Sequence, residues 1–155
     1  MNANDYKEFA YTLVGVTKGV LSIDGQLHPV CFKLNNKNNT FEAVSLDTTD
    51  KMHSMESAAL VEQAASESDA IVIILESYLL PSDKAMGNFT SLKNHPDRVE
   101  AIQVILCAPG IESCFNVLFT GTKETKFNFV EQGWDDTYRL SEQGLQPFRN
   151  PYEKK

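Results

Sequence analysis

Residues 70–80 read AIVIILESYLL, and this run constrains the fold more than any other part of the chain. It is rich in β-branched residues, is bounded by Asp69 and by Pro81-Ser82-Asp83, and is too short for a membrane-spanning helix, which needs about 18 or more apolar residues. A strand that is apolar at odd and even positions alike is buried on both sides. The run therefore predicts a central strand with cover on both of its faces. A second apolar run, Val99 to Cys107, opens after His95-Pro96-Asp97-Arg98. Antiparallel pairing of the two runs would set Glu76 and Tyr78 beside Arg98 and Glu100, where charge meets core.

The remaining elements follow from periodicity and turn chemistry. Asn4 and Asp5 precede a helical recurrence of Tyr6, Phe9, Ala10, Leu13, Val16 and Val20. Asp5 with Glu8 matches a capping box, and Gly15 and Gly19 weaken the helix interior. After the turn at Asp24-Gly25, Leu27 to Leu34 and Thr40 to Leu46 flank NNKNN, which predicts a hairpin. Thr49 or Asp50 caps a second helix to about Ser66, with Met55, Ala58, Val61 and Ala65 as its stripe beside Met52, Ala59 and Leu60. Methionine at helical spacing is read as core rather than as a binding groove. Further strands are expected at Cys114 to Thr120 and Lys126 to Glu131. This order predicts an α+β fold: a single domain over residues 1–146, with a mostly antiparallel sheet of five to six strands and helices packed on one face. Residues 147–155 read as a polar, mobile tail.

Composition narrows the function classes. At 155 residues the chain is long enough for one domain without disulfide staples. The net charge of −7 is concentrated in residues 41–69, which carry one basic and seven acidic groups. With no basic stripe for phosphates, direct nucleic-acid binding is not expected, and Phe115, Phe119, Phe127, Phe129 and Trp134 read as a packed sheet face rather than a base-stacking platform. Cys31, Cys107 and Cys114 make an odd set without a Cys-x-x-Cys pair, and His28, His53 and His95 match no ligand spacing, so neither a metal nor another cofactor is expected. The polar, acid-bearing start MNANDYKEFAY lacks the pattern of a secretion signal, and a cytoplasmic location without membrane attachment is the expectation.

The element order resembles profilin-like and roadblock-like domains, which implies a sheet of that kind. Locally, Glu76-Ser77-Tyr78 at a strand end followed by His95-Pro96-Asp97-Arg98-Val99-Glu100-Ala101 resembles an uncharacterised group of small bacterial and mobile-element proteins. In that group a strand ends in Ser-Glu-Ala-Trp or similar and a Pro-Asp-Arg-x-Glu segment follows. This chain departs from it with Leu75 before the glutamate and with Ser77-Tyr78 in place of Ala-Trp. The group has no established activity, so the resemblance implies a fold and a mobile-element setting, and no reaction.

Glu76 is the first candidate for chemistry, because a carboxylate among apolar neighbours is costly unless paired or protonated. The favoured reading pairs it with Arg98 as an ion pair that fixes strand register, with Asp97 capping the turn. The alternative reading is a small enzyme with an acid–base pocket of Glu76, His95, Asp97 and Arg98. No Gly-x-Ser-x-Gly elbow or Ser-x-x-Lys motif supplies a nucleophile. The long connection from Pro81 to Asp97 places Met86, Phe89 and Leu92 where they either anchor the loop or offer a contact surface, and Glu56 and Glu62 lie on the acidic helix. The expectation is a non-enzymatic protein-binding or assembly module that engages a protein partner or a second copy of itself.

Overall fold

A computed structural model describes residues 2–36, 40–80, 95–142 and 147–153. Within them the order is α1 (Ala3–Asp24), β1 (Val30–Asn35), β2 (Thr40–Ser45), α2 (Lys51–Ser66), β3 (Ala70–Leu79), β4 (Val99–Ala108), β5 (Ile111–Thr122) and β6 (Lys126–Asp135), then a 3-10 turn at Leu140–Glu142. The strands form one antiparallel sheet in the order β2-β1-β3-β4-β5-β6. This is the α+β fold that the element order predicts. Helix α2 is the crossover that returns the chain beside β1, and from β3 onward each strand adds to the growing edge.

Strand β3 sits between β1 and β4, so both of its hydrogen-bonding edges are used. Its even positions Ala70, Val72 and Ile74 join Leu34, Val104 and Phe115 in a cluster completed by Tyr6, Ala10, Leu13, Val14 and Leu21 of α1. The odd positions Ile71, Ile73 and Leu75 join Cys31, Ile105, Cys107 and Cys114 in a second cluster, completed by Val61, Ala64 and Ala65 of α2. Side chains alternate across a strand. The two clusters therefore lie on opposite faces, and the helices are divided between the faces rather than gathered on one. A middle strand that is apolar on both sides requires this arrangement.

Each helix buries a narrower stripe than its sequence suggests. Helix α1 turns Tyr6, Ala10, Leu13, Val14, Thr17 and Leu21 inward, leaving Val16 at 58% and Val20 at 40% exposure. At about 100° per residue both valines sit on the flank of the buried stripe rather than within it. In α2 the inward residues are Ser54, Ser57, Val61, Ala64 and Ala65, whereas Met52 and Met55 are exposed. Small side chains let α2 lie close to the sheet, and Ser57 Oγ both accepts from Asp47 N–H and donates to Asp47 C=O. The methionines therefore face solvent instead of filling the core.

Helix starts follow capping chemistry. Asn2 and Asp5 form the capping box of α1, three residues earlier than the Asp5/Glu8 pairing, and Asp50 caps α2 by accepting from His53 N–H. The segment read as a polar tail is packed over 147–153. Phe148 and Asn150 are buried, and Phe148 joins Tyr138 and Leu140 in the α2-side cluster. That apolar contribution closes the part of the face that α2 does not reach.

Two kinds of glycine separate in their demands. Gly121 has φ +101°, and a Cβ there would lie 2.1 Å from the Lys126 carbonyl oxygen. Gly15 and Gly19 lie inside α1, and a Cβ at either position would meet no atom within 4 Å. Gly121→Ala is expected to destabilise the protein by about 2 kcal/mol or more. Gly15→Ala and Gly19→Ala are each expected to stabilise it by about 0.5–1 kcal/mol. Denaturant unfolding followed by circular dichroism measures both.

Candidate functional site

The candidate residues cluster where β3 and β4 leave the core. Strand register places Tyr78 opposite Glu100, as the paired runs predict, but sets Glu76 opposite Ile102. Arg98 precedes Val99, so it lies four residues from Ile102, about 13 Å along an extended strand. Among the described residues no ion pair joins Glu76 to Arg98, and the expected register-fixing pair is not formed.

Glu76 instead accepts the Leu27 backbone N–H at 2.6 Å, just beyond the Gly25 cap of α1. The carboxylate thus ties the chain leaving α1 to the end of β3. Glu76 is exposed, yet desolvation by the surrounding protein holds its pKa above the ordinary value of 4.5; the Leu27 N–H opposes the shift, nearby Glu100 adds to it and His28 opposes it.

His95, Asp97 and Arg98 form a local turn of their own. His95 is buried at 3% exposure, and its Nδ1 accepts the Asp97 N–H at 3.0 Å. The Arg98 N–H and Nη1 both donate to the His95 carbonyl, and the guanidinium lies over the Tyr78 ring at 5.5 Å. Asp97 closes the turn through its backbone N–H, not through the carboxylate expected to cap it. The four residues of the acid–base reading therefore split: Glu76 is engaged with Leu27, while His95 and Arg98 are engaged with each other.

Of two cavities among the described residues, one includes Glu76 in its lining and the other lies away from the four candidates. One of about 80 Å³ is lined by Pro29, Leu46, Thr48, Ile73, Leu75, Glu76, Leu140 and Phe148. Its lining is mostly apolar, with Thr48 and Glu76 as its polar members. A wider groove of about 540 Å³ runs between the β4–β5 turn at Pro109 and Gly110 and the C-terminal residues Asn150 and Tyr152. Four of its polar side chains, Glu112, Arg139, Asn150 and Tyr152, hold the fold together. Glu112 accepts Leu140 N–H at 2.6 Å and Asn150 Nδ2 at 3.4 Å, and Arg139 Nη1 donates to the carbonyls of Asp136 and Tyr138.

Cys31, Cys107 and Cys114 are free and buried on the α2 side of the sheet. Burial pushes the thiols of Cys31 and Cys114 up to about 12 and that of Cys107 upward as well, so none is a thiolate at neutral pH. Cys107 pairs with Glu112 and Cys114 with Ile105, which makes the two cysteines diagonal neighbours and not a facing pair across the hairpin. Among the described residues no group of three or more His, Cys, Asp or Glu side chains is placed to hold a metal ion. No helix among them is long and apolar enough to cross a membrane.

The remaining candidates divide. Met86, Phe89 and Leu92 lie outside the described residues. Glu56 is exposed on α2, and Glu62 pairs with Arg149 at 3.3 Å, fastening the acidic helix to the C-terminal segment. The aromatic residues of β5 and β6 pack as a sheet face, with Phe115 edge-on to Trp134 and Phe119 edge-on to Phe127. Comparison with protein-family models, with curated proteins and with solved structures finds no match. Leu27 and Glu112 carry structural roles that sequence reasoning missed. Leu27 acts through its backbone and Glu112 through residues far away in the chain, so neither leaves a local signal. The bare flank of α1 had a signal, the angular offset of Val16 and Val20 from the buried stripe.

Because the Glu76 pKa is raised on folding, its contribution to stability is full below 4.5 and is lost as the pH rises through the folded value. Glu76→Gln keeps an oxygen for the Leu27 N–H. It is expected to raise the melting temperature at pH 7 by about 1–2 °C, with the gap closing in acid; a melting series from pH 4 to pH 8 reads this. Glu112→Ala leaves the Leu140 N–H without its acceptor. A loss of about 1–3 kcal/mol is expected, with faster proteolytic clipping after Asp136.

Proposed function

We propose that this chain is a non-enzymatic protein-binding or assembly module that engages a protein partner or a second copy of itself. The observation that carries this reading is the bare apolar flank of α1, where Val16, Val20 and Ile23 are exposed at 58%, 40% and 70%. Large side chains of this kind grouped on one helix mark contact surfaces. The outer edges of β2 and β6 add backbone donors and acceptors that no other strand takes up among the described residues. The candidate polar residues support the reading from the other side, since Glu76, His95, Arg98 and Glu112 are each occupied in holding the fold together. The same reading places the protein in the cytoplasm, where three unpaired thiols stay reduced.

A second reading, an acid–base enzyme at the end of β3, is favoured by one observation, the raised pKa of Glu76. Against it, the hydrogen bond that Glu76 makes is to the Leu27 backbone N–H, a tie within the fold.

Size-exclusion chromatography with light scattering, combined with chemical cross-linking and affinity capture from host lysate, tests the binding reading. A defined oligomer or a reproducibly retained protein is the expected result. A particle that stays monomeric and retains nothing sinks it.

A further inference from the structure

We infer that the outward face of α2 docks a basic amphipathic helix of a partner protein, with the apolar side of that helix on a methionine ridge and its Lys or Arg side chains on the flanking acids. This surface is distinct from the flank of α1, and the inference rests on the reading of the chain as a binding module.

Methionine is among the residues most often buried. Here Met52 and Met55 are 63% and 56% exposed. Helix α2 meets the sheet through Ser54, Ser57, Val61, Ala64 and Ala65. At about 100° per residue, Met52, Met55 and Ala59 fall within about 60° of one another on the side turned away from that stripe. Ala59 is exposed as well, so the three form one ridge along the outer face. Among the described residues, none of the three belongs to either core cluster. An unbranched thioether side chain has three rotatable bonds and a polarisable sulfur. Such a ridge moulds itself to an incoming apolar stripe.

Charge selects the occupant. Residues 41–69 carry seven acids and one basic residue, Lys51. Glu56 lies about 40° from Met52 on one side of the ridge, and Glu62 lies about 20° from Met55 on the other. Both are exposed. Glu62 meets Arg149 at 3.3 Å, with both side chains nearly half exposed, and exposed pairs of this kind are weak in water. At the N-terminal end of the helix, hydrogen bonds from Thr49 to Asp47 and from the His53 backbone to Asp50 hold both carboxyls below the ordinary range, so both stay ionised. An acidic partner is repelled from this face, and an uncharged one leaves the acids unpaired. A helix whose apolar stripe is bordered by Lys or Arg satisfies the ridge and its flanks together.

Area sets the strength. Helix α2 has 16 residues, so a second helix about 10 Å wide laid along its length of about 24 Å buries on the order of 300 Å² of each partner, small for a stable interface. Charge has to supply much of the attraction. The complex should therefore be weak and sensitive to salt.

The probe is a synthetic amphipathic peptide of leucine and lysine, matched in length to α2. It is titrated into the isotope-labelled full chain, and NMR amide shifts are followed. At about 0.05 M salt, shifts centred on Met52, Met55, Glu56 and Ala59 are expected with a dissociation constant of about 10–100 μM, weakening about tenfold at about 0.3 M salt. Met52→Gln with Met55→Gln keeps side-chain length and removes the thioethers, and should weaken binding about tenfold. Glu56→Lys with Glu62→Lys should weaken it at least about tenfold and flatten the salt dependence. Absence of shifts on α2 in the wild-type chain overturns the inference. So does equal binding of a peptide of the same composition scrambled to have no apolar stripe, since charge alone then acts. Shifts that follow α1 instead, and vanish on Val16→Asp with Val20→Asp, end this inference while the module reading stands. A chain that ignores the peptide but forms a defined oligomer has the same consequence. A monomer that binds neither the peptide nor any host protein removes both.

Discussion

The double-sided burial of β3 is the constraint on which the rest of the structure depends. Ile71, Val72, Ile73 and Ile74 are each at most 2% exposed, and both edges of the strand are hydrogen-bonded. Each such side chain taken from water contributes about 1.5–3 kcal/mol. That stabilisation is realised only if both faces are closed at once. Helix α1 closes one, and α2 with Tyr138, Leu140 and Phe148 closes the other.

Polar groups sit at the margins of this core and act mainly as ties. Glu76 holds the exit of α1 to the end of β3, Glu112 holds the C-terminal segment to β5, and Ser57 holds α2 to the turn after β2. Glu76 is exposed where β3 leaves the core and accepts a backbone N–H, so an acid that looks anomalous in an apolar run is accounted for by its position and its partner. The cysteines follow the same logic, as small apolar residues in a closed layer with their thiols kept protonated.

Much of the architecture was legible because it depends on local patterns. The apolar runs at Ala70 and Val99 paired as expected, Asp50 capped α2, and Pro109-Gly110 joined two strands. The candidate site was less legible. Glu76 and Arg98 looked like partners because they flank the same strand end, but pairing Tyr78 with Glu100 carries them apart along the ladder. Val16, Val20, Met52 and Met55 looked buried because helical spacing tolerates a broad stripe, and the buried stripes proved narrower.

By itself the sequence determined the class of fold, the order of the elements and the antiparallel pairing of its two most apolar strands. These follow from hydrophobic period, caps and turns, all of which act over a few residues. Only the tertiary structure decided which face each helix takes, which acid meets which backbone donor, and that the C-terminal residues supply Phe148 to the core. Those outcomes depend on contacts between residues tens of positions apart, set by the packing of layers, and short-range patterns carry no record of them.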